Sequence, residues 1–410
     1  MAYLPFIFFG IIFLFTIAKR GFDVSAYVVM LYLVISFFAI LMYLYDYGET
    51  TIDQISFFSP LLYCILIGLC LFPAYKFNSK TIKHISFSNN FFFDALTYFY
   101  FAAFLFTIIA YWKDLLFVIN YGDWGELRWM ITRGDSLVTT KFHGLLKYVA
   151  LVFNFLGSIS FIMFPIFFMS VSFKKRPWWF SVMAFLGTTT VIFSGILGCD
   201  RSSTFRWILL LGLNIVFFWP HISTKVKKAI TPMLLLAFVG AVAYMSSVTS
   251  DRFKESYQGI RESVVVYAGQ SYYNFCYLFD NYNNGEGFST NYFFPATHSW
   301  IIKDYEGNVP RQQELTLKTG YQCGVFYTFL GSFLIDANQA GPFVFVIVFL
   351  LISSLLKKPS RAGTISFLHF IEYYFLLVIL VFGIIAYPYT TGYATVSIAL
   401  LLILLKLFDK

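Results

Sequence analysis

Charged side chains are scarce in this sequence. Only 12% of its 410 residues are Asp, Glu, Lys or Arg, whereas 59% are hydrophobic and the mean hydropathy is +0.72. A soluble globular protein carries about 25% charged residues, so the composition excludes that class. The chain is therefore predicted to be a polytopic membrane protein.

Several motifs that carry chemistry in other proteins are also missing. The sequence contains no GxxxxGK[ST] loop, no HExxH, no CxxC pair, no glycine-rich dinucleotide fingerprint and no Asp-x-Asp pair. We therefore predict no metal and no cofactor. Cysteines are few as well: Cys64 and Cys70 lie within an apolar run, and one disulfide is chemically possible among Cys199, Cys276 and Cys323. Three separate small apolar side chains are the favoured interpretation.

The apolar residues occur in continuous runs rather than in alternation. Continuous runs are typical of transmembrane helices, because a barrel strand alternates apolar and polar positions. We predict an all-α fold with about eleven transmembrane helices. Span seven (205–219) is short, and span nine (341–356) is expected to borrow residues from 325–334. The predicted divisions are helices one to eight over 1–248, a large extracytoplasmic loop with interfacial helices over 249–339, and helices nine to eleven over 340–410.

The positive charges follow the apolar runs closely. The net charge of +8 does not indicate nucleic-acid binding, because short basic clusters beside spans are the orientation signal of membrane proteins. Placing these clusters inside puts the N-terminus outside and the C-terminus inside. The inside clusters are Lys19, Arg20, Lys76, Lys80, Lys83, Lys174, Lys175, Arg176, Lys225, Lys227, Lys228, Lys357, Lys358, Arg361, Lys406 and Lys410.

Two arginines flank a predicted turn between spans six and seven. Arg201 and Arg206 lie at the two ends of the short segment that follows Asp200. If this segment is a turn, its shortness holds both side chains near the outer headgroup plane. Guanidinium groups bind phosphate oxygens bidentately, which suits them to hold a lipid diphosphate. Interfacial snorkelling is the alternative interpretation.

The run from Arg261 to Asp280 has a helical pattern of polar and aromatic residues. Drawn as a helix, it presents amides and rings on one face and apolar residues elsewhere, so it is expected to lie at the membrane interface. Proteins also bind sugars through amide hydrogen bonds and aromatic rings. The pattern therefore indicates either an interfacial anchor or a glycan-binding surface. The stripe consists of Ser263, Tyr267, Gln270, Asn274 and Tyr277.

Glycosyl transfer needs an acceptor for the proton of the attacking hydroxyl. Asp280, His298 and Asp336 are candidates, although Asp336 could instead cap span nine. Arg252 and Arg311 complete the candidate substrate-binding residues, with solvated loop charge as the alternative for Arg311.

Two other groups have mainly structural interpretations. His369 and Glu372 form a pair within span ten that could relay protons, with a structural hydrogen bond as the alternative. In the loop after span four, the spacing of Asp123, Glu126, Arg128 and Arg133 predicts an amphipathic interfacial helix.

Three segments together resemble bacterial oligosaccharide repeat unit polymerases of the Wzy type. These are Gly-Cys-Asp-Arg-Ser-Ser (198–203), the run 267–280, and 320–341 with its Leu-Ile-Asp-Ala-Asn-Gln-Ala-Gly ending. Arg201 to Gly212 also fits the Arg-x10-Gly pattern of some members, whereas neither Arg252 nor Arg261 has a glycine at that spacing.

The resemblance implies a metal-independent, GT-C-like glycosyltransferase in the bacterial inner membrane. Such enzymes join repeat units carried on undecaprenyl diphosphate at its outer face, transferring the growing chain to a new unit. The resemblance also implies several partners, which are the lipid-linked oligosaccharide, membrane lipids, a chain-length regulator and a flippase. Arg201, with Arg261 or Arg252, would hold the diphosphate, and the face carrying Gln270 and Asn274 would orient sugars.

Other functions remain open at this point. An O-antigen ligase would share the architecture and the lipid donor but would transfer finished glycan to another lipid. A transporter or flippase would show charged groups along a central path, or inverted repeats with broken helices. A purely structural or sensory membrane protein would not need so large a polar outer loop.

Overall fold

The computed structural model describes residues 1–46, 54–77, 79–86, 90–132, 137–173, 176–253, 259–282, 316–317, 326–390 and 394–408. In this part of the chain, seven helices are long and apolar enough to cross a membrane. The number rises to eight if Leu145–Gly157 and Ser160–Ser172, which meet at 61°, form one bent span. The predicted all-α polytopic membrane fold is confirmed. The count of about eleven spans, their orientation and the GT-C-like resemblance stay predictions.

The chain divides into two compact units. The first comprises 1–82, 261–365 and 369–395, and the second comprises 83–260, 366–368 and 396–410. Both units draw on residues far apart in sequence, so neither corresponds to one continuous segment of the chain. The three predicted divisions along the chain are a separate description and stay a prediction.

The first unit is built around long apolar helices near the N-terminus. The buried carboxylate of Asp23 begins the second helix by accepting a hydrogen bond from the backbone N–H of Ala26 (3.0 Å). The helices of this unit are Tyr3–Arg20, Val24–Leu44, Phe58–Cys70, Phe72–Lys76, most of Gly259–Asn281, Thr328–Ala337, Ala340–Leu355 and most of Phe367–Phe382, with 3₁₀ turns at Ser79–Thr81 and Pro388–Thr390.

The second unit contains the remaining described helices. An ion pair between Arg176 and Asp94 (2.6 Å) ties the start of one helix to the segment before another. The helices are Asn90–Ala110, Trp112–Tyr121, Trp124–Thr132, Leu145–Gly157, Met163–Ser172, Trp178–Leu197, Arg201–Phe218, Thr224–Phe253 and Ala394–Phe408, with 3₁₀ turns at Ser160–Ile162 and Trp219–His221. Strand His84–Ser86 lies in this unit, and strand Thr364–Ser366 lies where the chain passes between units.

Most predicted spans coincide with helices, but two boundaries were wrong. Span seven begins at Arg201 rather than at Phe205, so the helix that had looked short has 18 residues. The helix of span eight continues to Phe253 and so enters the predicted outer loop. In both places the polar residues are part of the helix, because serine, threonine and arginine are tolerated in its end turns.

The aromatic stretch before span nine forms a helix of its own. Thr328–Ala337 and Ala340–Leu355 fold back on each other, since Phe345 of the second packs against Phe329 (5.3 Å) and Phe333 (4.2 Å) of the first. Gly341 faces the carbonyl group of Phe333 with no room for a side chain. The expectation that this stretch extends span nine was therefore wrong, because the chain reverses at Asn338.

Candidate functional site

The turn at Asp200 is the best-defined polar feature of the second unit. Its carboxylate accepts hydrogen bonds from the backbone N–H groups of Ser202 (2.9 Å) and Ser203 (3.2 Å) and from both serine hydroxyls (2.9 and 2.7 Å). This is an N-cap, and it satisfies amides that the first turn of a helix cannot satisfy internally. The helix Arg201–Phe218, the Arg201 helix, therefore begins directly at this carboxylate.

Asp200 is ionised because of its hydrogen-bond donors. Burial acts to raise the pKa of this carboxyl, but the bonds from Ser203 and Ser202, and the positive charge of Arg206, outweigh that effect and hold the pKa below its ordinary value. Arg206 thus faces a fixed negative charge within its own helix. The prediction that Arg201 and Arg206 flank a turn was wrong, because both are helical residues and the turn comprises only the residues before Arg201.

The guanidinium of Arg201 is directed towards the end of the helix Thr224–Phe253. Its Nη1 donates to Thr249 Oγ1 (3.0 Å), and its Cζ lies 4.8 Å from the centre of the Phe253 ring. The Thr249 hydroxyl in turn donates to the Met245 carbonyl (2.7 Å), so its lone pairs are directed at Arg201. Arg201 is partly exposed.

A third arginine supports the same turn. Arg128 Nη1 donates to the carbonyl oxygen of Gly198 (3.0 Å), and the Tyr244 hydroxyl reaches the carbonyl oxygen of Gly195 (3.4 Å). Trp124 packs edge-on against Tyr244, with ring centres 5.2 Å apart. The predicted helix around Arg128 is confirmed as Trp124–Thr132. The sequence interpretation recognised it as amphipathic but missed this contact, because nothing local relates Arg128 to Gly198.

The loop helix Gly259–Asn281 is present in the first unit, but it is buried rather than lying on a surface. Asn274 is 1% exposed, and its side-chain nitrogen donates to the carbonyl oxygen of Phe326 (2.7 Å). Gly269 lies against the backbone of Phe38. The apolar positions assigned elsewhere on the helix are also mostly buried. The polar stripe is therefore not an open face, and the interfacial location stays a prediction. Helices pack on several sides of this one.

Two residues of the predicted stripe, Tyr267 and Gln270, keep partly exposed side chains. Tyr267 packs against Phe326 with ring centres 5.3 Å apart, and Gln270 is partly exposed. Arg261, near the helix start, places its Cζ 5.5 Å from the centre of the Tyr45 ring. These three residues are the parts of the predicted glycan surface that a ligand could contact in the first unit.

Asp280 holds two segments together. Its carboxylate accepts hydrogen bonds from the Ser56 N–H (2.7 Å), the Ser56 hydroxyl (3.0 Å) and the Ser59 hydroxyl (2.8 Å). These donors lie where the helix Phe58–Cys70 begins. These three hydrogen bonds occupy lone pairs of the carboxylate. The geometry favours structural support over proton transfer at Asp280.

Asp336 belongs to a buried polar stripe. Thr328, Ser332 and Asp336 lie four residues apart on one face of their short helix, and all three are fully buried. The hydroxyls of Thr328 and Ser332 and the side-chain oxygen of Asn274 have no hydrogen-bond partner. The suggestion that Asp336 caps span nine was wrong, because Gln339 occupies the N-cap position.

The predicted site residues are divided between the two units. Arg201 and Arg206 belong to the second unit, whereas Arg261, Tyr267, Gln270, Asn274, Asp280 and Asp336 belong to the first. His298, Arg311 and Cys323 lie outside the described residues, and so does the side chain of Arg252. His369 donates to or accepts from Glu372 within one helix (2.8 Å).

The described residues contain no group of three or more His, Cys, Asp or Glu side chains placed to hold a metal ion. The cysteines Cys64, Cys70, Cys199 and Cys276 are free and buried. Burial raises the pKa of the Cys199 thiol to about 11, against a smaller opposing effect of Arg128. Cys199 is therefore a thiol rather than a thiolate at neutral pH.

No protein family, curated protein or solved structure gives a match to this chain.

Proposed function

We propose that this protein is a membrane glycosyltransferase that polymerises undecaprenyl-diphosphate-linked oligosaccharide units into surface polysaccharide. The reaction would take place at the outer face of the bacterial inner membrane, with membrane lipids around it and a flippase and a chain-length regulator as partners. An O-antigen ligase is the nearest alternative. The single observation that carries the proposal is the set of arginines at the beginning of the Arg201 helix.

Arg128 donates to the Gly198 carbonyl, the charge of Arg206 acts on Asp200, and Arg201 begins the helix that follows this turn. A helix that crosses a membrane begins near the headgroup level, which is where the phosphates of a lipid carrier lie. The amides of the first turn are already bound by Asp200, so the arginine side chains rather than the backbone would hold a diphosphate. Arginine suits this because its planar group binds phosphate bidentately.

The chemical step is a substitution at the anomeric carbon of the donor sugar. A bond forms between that carbon and the oxygen of the acceptor hydroxyl, while the bond from the carbon to the diphosphate oxygen breaks. The diphosphate leaves with the bonding electrons, and Arg201 and Arg206 stabilise its charge. The acceptor proton passes to a base or to the departing diphosphate. Among the predicted bases, Asp280 is already engaged by its serine donors, and His298 stays a prediction.

The first unit supplies features that suit sugar binding. Tyr267 presents an aromatic ring, Gln270 an amide and Arg261 a cation, and all three are partly or fully exposed. Rings pack against the C–H faces of sugars, while amides hydrogen-bond their hydroxyls. Asn274 is a weaker candidate than the sequence suggested, because it is buried and bonds the Phe326 carbonyl.

One observation favours a transporter or flippase as the second candidate. The helix Phe367–Phe382 ends before Gly383. The Gly383 carbonyl accepts a hydrogen bond from the Phe329 N–H (3.1 Å), and the Ile385 carbonyl accepts one from the Thr328 N–H (2.9 Å). Discontinuous helices whose free backbone groups bond another segment are common at transport sites. The Thr328 and Ser332 hydroxyls, which have no hydrogen-bond partner, lie on the helix that bonds this segment.

The test is complementation of a deletion strain, with the surface polysaccharide analysed by length. A lost polymerase leaves single repeat units attached to the final acceptor, whereas a lost ligase leaves full-length polymer on its lipid carrier. A lost flippase leaves units at the inner face, inaccessible to periplasmic enzymes. These three outcomes are distinct.

Arg201→Lys tests the carrying observation. It keeps the charge but removes the planar donor set, and we expect chain length to fall to one or a few units at normal protein level. Arg361→Lys, an exchange at an exposed residue, is the matched control and should give full-length polymer. Full-length polymer from Arg201→Lys would remove Arg201 from the mechanism.

A further inference from the structure

A cluster of cations lies at one end of the first unit. The segments 17–22, 74–83 and 357–366 contain no Asp or Glu, and each contributes basic residues. The helices Tyr3–Arg20 and Ala340–Leu355 end beside these residues. We name Arg20, Lys76, Lys80 and Lys358 the basic cluster.

The first contacts join Arg20 to the segment around Lys80. Arg20 Nη2 donates to the Tyr75 carbonyl (2.8 Å), and its Cζ lies 5.5 Å from the Tyr75 ring centre. Lys80 Nζ donates to the Arg20 carbonyl (2.6 Å). Lys80 also lies against Gly21, where a Cβ would be 2.9 Å from Nζ and where φ is +67°. The positive φ favours a glycine at this position, and a side chain there would displace the Lys80 ammonium.

Lys76 adds a second charge to the same region. Its ammonium donates to the carbonyl oxygens of Ser353 (2.6 Å), Ser354 (2.7 Å) and Leu356 (2.9 Å), which end the helix Ala340–Leu355. A cation at a helix C-terminus is favourable. The same contact brings Lys76 close enough to Lys358 for their positive charges to repel each other. The fold therefore holds like charges together.

Arg20 has hydrogen-bonding capacity that the protein leaves unused. Its Nη1 is buried and has no partner. The nearby acid is Asp23, whose Oδ1 is bound by Ser25 and Ala26 and whose buried Oδ2 has no partner. The charges of Arg20 and Asp23 both act on Tyr75, and they form no ion pair with each other.

We propose that the basic cluster binds a phosphate-bearing anion. A phosphate group supplies several acceptor oxygens and at least one negative charge, so it accepts from Arg20 Nη1 and reduces the repulsion between Lys76 and Lys358. The cluster lies where apolar helices end, which is the depth of lipid headgroups. An anionic phospholipid and a soluble phosphate share this chemistry, and the experiment separates them.

The test uses the full-length protein purified in a neutral detergent, with thermal unfolding followed by tryptophan fluorescence. Phosphatidylglycerol in mixed micelles should raise the midpoint by about 2–4 °C over the same amount of phosphatidylcholine. The double variant Lys80→Gln/Lys358→Gln should lose most of this shift, because it removes two exposed cations and leaves the bond from Arg20 to Tyr75 in place. In a separate experiment the unfolding midpoint is measured with pyrophosphate, at matched ionic strength, in place of the phospholipid.

The matched control is Lys225→Gln/Lys228→Gln, which removes equal charge from exposed lysines of the second unit and should keep the shift. Phospholipid phosphorus retained per protein after detergent washing gives a second readout that does not depend on unfolding. A lipid effect without a pyrophosphate effect identifies a headgroup site. A pyrophosphate effect that the Lys80/Lys358 variant loses identifies a soluble ligand. Equal shifts with both phospholipids, or an unchanged shift in that variant, would overturn the proposal.

Discussion

Asp200 and Asp280 both hold the beginning of a helix, one in each unit, but they do so in different ways. Asp200 bonds residues two and three positions ahead of it, whereas Asp280 bonds Ser56 and Ser59 from more than 200 residues away in sequence. The first arrangement is local and fixes only where a helix starts. The second joins separate segments of the chain. The comparison shows that the same residue type serves local capping in one unit and tertiary assembly in the other.

The two aspartates also differ in the charges around them. Asp200 faces Arg206 and lies in a turn that Arg128 supports, so its surroundings are rich in cations. The groups that donate hydrogen bonds to Asp280 belong to neutral serines. A phosphate-binding function is therefore better placed near Asp200, and structural support is the better assignment for Asp280.

The largest effect is expected from Asp280→Ala. This substitution leaves the Ser56 N–H and two serine hydroxyls without their acceptor. A single hydrogen bond to a charged group contributes at most about 1.5–3 kcal/mol to the free energy of unfolding. Because these groups are partly exposed and water replaces some bonds, we expect a total loss of about 2–4 kcal/mol. Unfolding by SDS in mixed micelles measures it. Asp280→Asn should lose less, and equal stability of Asp280→Ala and the unsubstituted protein would contradict the tertiary role.

Asp200→Ala should cost less, about 1–2 kcal/mol, which is the usual cost of removing an N-cap. Its pH dependence distinguishes it further. The folded pKa lies below the ordinary value, so the stabilisation is fully present above the unfolded pKa and is lost as pH falls through the folded pKa. The stability difference between Asp200→Ala and the unsubstituted protein should therefore be constant from pH 6 to 8 and shrink below about pH 4. A difference that grows on acidification would refute this assignment.

The smallest effect is expected from Arg128→Met, which keeps the length of the side chain but removes its donor to the Gly198 carbonyl. One such bond to a charged donor at a partly exposed site contributes about 0.5–1.5 kcal/mol. If Arg128 also contacts the diphosphate, polymer length should fall more than this small stability loss explains. Normal polymer length at normal protein level would limit Arg128 to a structural role.

Much of the architecture could be predicted from the sequence, because hydrophobic periodicity and length are local properties. The apolar runs 3–18, 25–45, 92–112 and 178–198 predict four spans. The corresponding helices lie within a few residues of these bounds, at Tyr3–Arg20, Val24–Leu44, Asn90–Ala110 and Trp178–Leu197. The helical hairpin Thr328–Leu355, in which the chain reverses at Asn338, was not predicted. An apolar run that reverses looks the same in sequence as one that continues, and only the contact with Phe333 distinguishes them.

The candidate site was predicted less well. Arg201 was recognised from its position beside a span, but its contacts with Thr249 and Phe253 join residues about fifty positions apart and leave no local pattern. The stripe through Asn274 suggested an exposed face because its polar spacing is helical. Burial of that face depends on neighbours such as Phe326, which periodicity does not report.

The pairing of Tyr327–Phe329 with Gly383–Ile385 has a consequence for biosynthesis. The amides of Thr328 and Phe329 find their acceptors only in a segment translated more than fifty residues later, so the hairpin enters the bilayer with those donors unmet. Until residues 383–385 have been made, these amides need another acceptor, such as water. Ribosome-stalled chains ending before residue 383 should accordingly be degraded faster than chains ending after residue 390.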